Sequence, residues 1–281
     1  MFAPSISRRA CPIAQRNGFI NSRPLTLNSQ CCRAAFTILE LLIVLGIIGI
    51  LVLLIAPAFT TIKAGSDVTS AAYTIKGVLD TARTYAKANN TYTWVGFFEE
   101  DVSQPWKPST SLTPPGGVGR IIMSIAASKD GTMIYDATAP AKIDTTKLIQ
   151  IGALNKIENA HLAGDSAFTA APSTPTGVTF NYRPSVTYRI ATLPNSSPSD
   201  SRTPFQYPLG SPQPPAQYSF VKAVEFSPRG EARIDNSADY SLQNAAEIGL
   251  RGTHGTAVDT GPNVVAIQVG GVGGDVIIYR K

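Results

Sequence analysis

One stretch limits this chain more than any other: residues 36–59 read FTILELLIVLGIIGILVLLIAPAF, and Glu40 is its sole charge. The nineteen uncharged residues from Leu41 to Phe59, at about 1.5 Å each, give a helix of roughly 28 Å, near the ~30 Å hydrocarbon thickness of a bilayer. Every face of that helix is apolar, so it is not an amphipathic helix lying on a core. Arg8, Arg9, Arg16, Arg23 and Arg33 precede it, with no lysine or acid in residues 1–35. Such a flank holds the N-terminus on the cytoplasmic side and leaves the body outside. The other 246 residues balance at 19 basic and 19 acidic side chains. The basic character therefore belongs to the first 35 residues, which removes most support for a nucleic-acid-binding body. Cys11, Cys31 and Cys32 also precede residue 36, so the body has no disulfide, thiolate metal site or cysteine nucleophile.

Three readings compete for the run. One is a signal anchor. A second is a cleaved signal peptide, with Ala56-Pro57-Ala58 as small residues at peptidase spacing. Neither explains Glu40, because a carboxylate at the centre of a bilayer helix costs about 2.5–3.5 kcal/mol. For the third, Ala35 followed by Phe36-Thr37-Ile38-Leu39-Glu40-Leu41-Leu42 and an unbroken apolar helix resembles the prepilin-type cleavage and methylation motif of type IV pilins and type II secretion pseudopilins. Ala35 stands where that family usually has glycine, and the leader is longer than most. The resemblance implies cleavage between Ala35 and Phe36 and N-methylation of Phe36 by a prepilin peptidase/N-methyltransferase. It also implies an assembly role for Glu40, with Gly46, Gly49 and Pro57 where members carry helix-weakening residues. Phe36 and Glu40 stand at i and i+4 on one helical face. The simpler account of Glu40 is that it complements the positive helix N-terminus, worth about 0.3–1 kcal/mol.

Beyond Pro57 the helical period continues. Val68, Ala71, Ala72, Ile75, Val78, Leu79, Ala82 and Ala86 recur at three- and four-residue steps, a stripe suited to packing on a sheet. Asn89-Asn90 is the expected stop. Expected strands are 91–98, 119–127, 132–135, 178–182, 186–191, 218–226, 231–234, 247–250, 264–269 and 276–279, with 119–127 and 132–135 as a hairpin about Lys129-Asp130-Gly131. Residues 145–163 are ambiguous. Seven prolines in 192–217 predict an exposed loop. Ala82-Arg83-Thr84-Tyr85-Ala86, the Pro228-Arg229-Gly230 turn and the closing strands resemble H-type pseudopilins and FimT-like minor pilins. Asn263–Gln268 and Val276–Lys281 are most similar to Verru_Chthon cassette protein D.

Other chemistry is sparse. Gly116–Gly119 and Gly270–Gly274 lack the lysine of a phosphate loop. His161 and His254 have no second ligand at zinc spacing. Glu99-Glu100-Asp101 could hold calcium but reads better as a solvated loop. Arg229, Arg233, Arg251, Arg280 and Lys281 could share a face toward DNA, although a neutral head with scattered arginines is the better reading.

The expected fold class is thus α+β and pilin-like, a long N-terminal helix with a transmembrane first half packed on an antiparallel sheet. The expected divisions are a leader at 1–35, a transmembrane and assembly helix at 36–62 and a periplasmic head at 63–281. The resemblance implies a minor pseudopilin of the inner membrane, single-pass with its N-terminus cytoplasmic. Its partners would be the processing enzyme, the membrane and other pseudopilins or pilins. It would not be an enzyme and would have no cofactor or metal; nucleic acid is not an expected partner. The alternative is a membrane-anchored binding domain or a DNA-binding FimT-like minor pilin.

Overall fold

The computed structural model describes residues 37–104, 116–132, 145–164, 168, 180–184, 186, 189–190, 205–209, 217–234 and 244–281, without the side chains of 54–64, 145, 182 and 244–245. Its contacts divide the chain into two units, Met1–Leu51 and Val52–Lys281.

The described chain is mostly antiparallel sheet. Its helix α1 spans Ile38–Ala88. The strands are β1 (Thr93–Asp101), β2 (Gly119–Ser128), β3 (Leu148–Leu162), β4 (Arg189–Ile190), β5 (Phe205–Tyr207), β6 (Tyr218–Phe220), β7 (Lys222–Phe226), β8 (Ala232–Arg233), β9 (Asn244–His254), β10 (Ala257–Val258), β11 (Val264–Gly270) and β12 (Val276–Arg280). Ten strands form one sheet in the order β12-β11-β9-β3-β2-β1-β7-β8, with β4 and β10 also paired to β9. Only β4 runs parallel to its partner.

This corrects the expected fold class. Among the described residues, no helix is long and apolar enough to cross a membrane. Sheet rather than helix dominates the described chain, with ten strands in one sheet.

In the second unit, the eight stripe residues from Val68 to Ala86 are all buried. They form one cluster with alternate residues of the sheet, among them Val95, Phe97, Ile121, Met123, Val224, Ile248 and Ile267. Strand side chains alternate between faces, so the intervening residues pack on the other side. There Trp94, Ile122, Ala126 and Ala223 meet Phe205, Tyr218 and Phe220 of the β5–β6 ribbon. Close approach of the ribbon requires Gly96: a Cβ there would lie 2.6 Å from Phe220 and 2.7 Å from Phe205. A third cluster sets Phe168 and Phe180 on Val264, Ala266 and Tyr279.

Several local expectations change. The proline-rich stretch 192–217 includes strand β5, whose Phe205 is buried. Its hydrogen bonds go to β6, so the prolines interrupt the ladder rather than prevent it. The ambiguous residues 145–163 resolve into a 3-10 turn at Thr145–Lys147 and the bulged strand β3. Register shifts occur opposite Met123/Ile125 and Gly119/Arg120, and Gly152 takes φ +69°, open to a glycine at no steric cost. Strand β2 pairs with β1 and β3, not with 132–135; of that span, Thr132 is not in a strand and the rest lies outside the described residues. Phe180–Tyr182, expected in a strand, is a 3-10 turn.

Candidate functional site

The residues singled out for processing and assembly lie at the start of α1. Ala35 and Phe36 are outside the described residues, as is the leader. Thr37 is the N-cap: its Oγ1 accepts from the backbone N–H of Glu40 at 3.2 Å, and its carbonyl accepts from the N–H of Leu41 at 3.2 Å. Thr-x-x-Glu is the capping-box spacing, so the helix starts where the motif places its carboxylate, in the first turn near the positive dipole end. From Ile38 to Leu53 the large apolar side chains are 46–86 % exposed. Gly46 and Gly49 open onto empty space, with no atom within 4 Å of where a Cβ would stand. Pro57 lies within α1, but its side chain is outside the description.

Charge in the sheet is buried and paired. The acidic triplet 99–101, expected as a solvated loop, is instead the end of β1. Alternation sends its first two carboxylates to opposite faces, and both are buried. Glu99 meets His161 Nδ1 at 2.9 Å and accepts from the backbone N–H of Leu162 and of Gly119 at 3.1 and 3.3 Å. Burial raises its pKa, and these partners offset only part of that. Glu100 takes Arg120 at 2.8 Å, while Arg120 also reaches Glu158 at 2.6 Å. The adjacent Tyr218 phenol is pushed up to about 12 by burial and by the charge of Glu100. Asp101 turns away and accepts from Ser103. The three acids therefore do not converge, and among the described residues no cluster of three His, Cys, Asp or Glu side chains could hold a metal ion.

Glu247 is a buried carboxylate held by three side chains. It accepts from Arg183 at 2.6 Å, Arg189 at 2.7 Å and Gln268 at 2.8 Å. Burial pushes its pKa up, but the hydrogen bonds of Arg183 and Gln268 and the two guanidinium charges outweigh it and hold it below the usual range. Arg183 also stacks 4.3 Å from the Phe180 ring and donates to the carbonyls of Phe180 and Phe168. It thereby pins the 3-10 turn to β9. Glu225 pairs with Arg233 and accepts from Trp94 Nε1 at 3.2 Å. These pairs join neighbouring segments in the fold and present no open reacting position.

The five cations considered for DNA do not form one surface. Arg233 is buried against Glu225, and the buried Arg251 donates to the carbonyls of Asp259 and Gly261. Arg229 is 85 % exposed beside Glu231. Sequence reasoning did not find the Glu99, Glu225 and Glu247 pairs; the available signal was a charged residue at an inward position of an apolar strand, as in KAVEF (222–226). No family model, curated protein or solved structure matches the chain.

Proposed function

We propose that this chain is a pilin-like structural subunit, a minor pseudopilin of a type II secretion or type IV pilus-like filament. It is made as a precursor, cleaved between Ala35 and Phe36 by a prepilin peptidase and methylated on the new terminus. The observation that carries the reading is the start of α1, where a capped carboxylate heads a helix whose large apolar side chains stand 46–86 % exposed. A surface of that kind, apolar all round, calls for partners of the same kind. Copies of the segment in neighbouring subunits supply them.

Glu40 then has a defined task. An α-amine exposed at Phe36 has a pKa near ~7.7–8 and is largely protonated at neutral pH. It shares a helical face with the carboxylate four residues on. Pairing between the amine of one subunit and Glu40 of the next neutralises two charges inside the bundle. It also sets the axial register of the helices, the best-attested use of a buried polar pair. The chain is retained at the inner membrane before assembly and is a substrate of its processing enzyme.

Glu40→Ala tests this directly. The precursor is expected to be made and cleaved at normal levels but to be absent from sheared filaments. Incorporation equal to the wild type would instead identify residues 36–62 as a plain anchor.

A further inference from the structure

On α1, one face away from the buried stripe, Ser66, Thr69, Ser70 and Tyr73 recur at three- and four-residue steps. They face Asn263, just before β11, and Arg280, at the end of β12, across an open groove of about 550 Å³. That volume lies within the ~300–1,000 Å³ range of small-ligand sites. The groove lies wholly within the second unit.

Three features give it a chemical character. Arg280 is exposed and, among the described residues, has no carboxylate within ion-pair distance. Its neighbours in the groove are hydroxyls and an amide, so among the described residues the only formal charge on the lining is one guanidinium. Tyr73 is 66 % exposed on a helix whose aliphatic side chains from Val68 to Ala86 are buried. Gly65 closes the end of the groove: a Cβ there would lie 3.6 Å from Asn263 Nδ2 and 3.9 Å from Arg280 Nη2. Both are ordinary van der Waals distances, so a Cβ at this position would line the end of the groove without displacing the amide or the guanidinium.

We propose that this groove binds a carboxylate-bearing saccharide. The guanidinium fork matches a carboxylate with two parallel hydrogen bonds. The Asn263 amide and the serine and threonine hydroxyls offer both donors and acceptors to ring hydroxyls. The Tyr73 ring gives the apolar face of a sugar a surface on which to stack. A nucleic acid is disfavoured, because one cation cannot follow a phosphate backbone. The site does not depend on assembly through Glu40.

The test is titration calorimetry of the full chain, held in a polyoxyethylene detergent to avoid a sugar headgroup, with trigalacturonic acid and with its neutral methyl ester. The acid is expected to bind, and the ester to bind about tenfold or more weakly, as loss of a charge-assisted pair implies. Arg280→Gln is expected to weaken the acid by a similar factor and to bind acid and ester alike. Tyr73→Ala is expected to weaken both ligands. Failure of the acid to bind at millimolar concentration, or binding by Arg280→Gln as tight as by the wild type, would overturn the assignment.

Discussion

Glu99 and Glu247 are both buried and both held by bases, yet they couple stability to pH in opposite senses. The raised pKa of Glu99 means that the folded chain binds a proton that the unfolded chain has released. Its contribution is complete below the ordinary value near 4.5 and is lost as pH rises through the folded value. Urea unfolding across that window should therefore show Glu99→Gln gaining on the wild type as pH rises; a constant difference would contradict the desolvation account. The lowered pKa of Glu247 works the other way. Its contribution is present above the ordinary value and is lost as pH falls through the folded one. At neutral pH Glu247→Gln should cost about 3–5 kcal/mol, since the buried Arg183 and the half-buried Arg189 lose their anion. That deficit should shrink in acid, where the wild type protonates as well. At Gly96 the issue is space: Gly96→Ala should destabilise by about 1–3 kcal/mol, read from the urea midpoint, because the added methyl meets Phe220 at 2.6 Å.

Among elements, the second half of α1 was the most legible. A three- and four-residue period over eight small and branched apolar residues has one physical solution, a helix pressed on a flat partner, and all eight are buried. Leu79→Ala should accordingly cost about 2–5 kcal/mol. Tyr73→Ala on the exposed face should stay within about 0.5 kcal/mol, and denaturant titration of the two variants separates the faces. Strand β3 was hard to read because Leu148, Ile151, Leu154 and Ile157 mimic a helical step. In the strand that step places Leu148 and Leu154 in the cluster on one face of the sheet and Ile151 and Ile157 in the cluster on the other, as a period of two requires. Between Leu148 and Asn159 the described pairing of β3 is to β2 alone. Bulges there, with Lys156 and Glu158, are devices that discourage pairing along an open edge. Strand β5 was hidden by surrounding prolines, and the buried ion pairs by their distance in sequence, such as the 64 residues between Arg183 and Glu247.

At the scale of the molecule, the two units answer to different rules. Residues 52–281 bury their helix stripe and most of their strand charges within one sheet system. Residues 37–51 leave a surface of leucine, isoleucine and valine uncovered under a capped first turn. The cap at this helix start is local, Thr37 and Glu40 being three residues apart. The mass of the N-terminal peptide from membrane-fraction protein decides whether the precursor is processed. Processing at the proposed site leaves a chain that begins at Phe36 and carries one added methyl group on its amine. A chain that begins at Met1 or at Phe59 would contradict it.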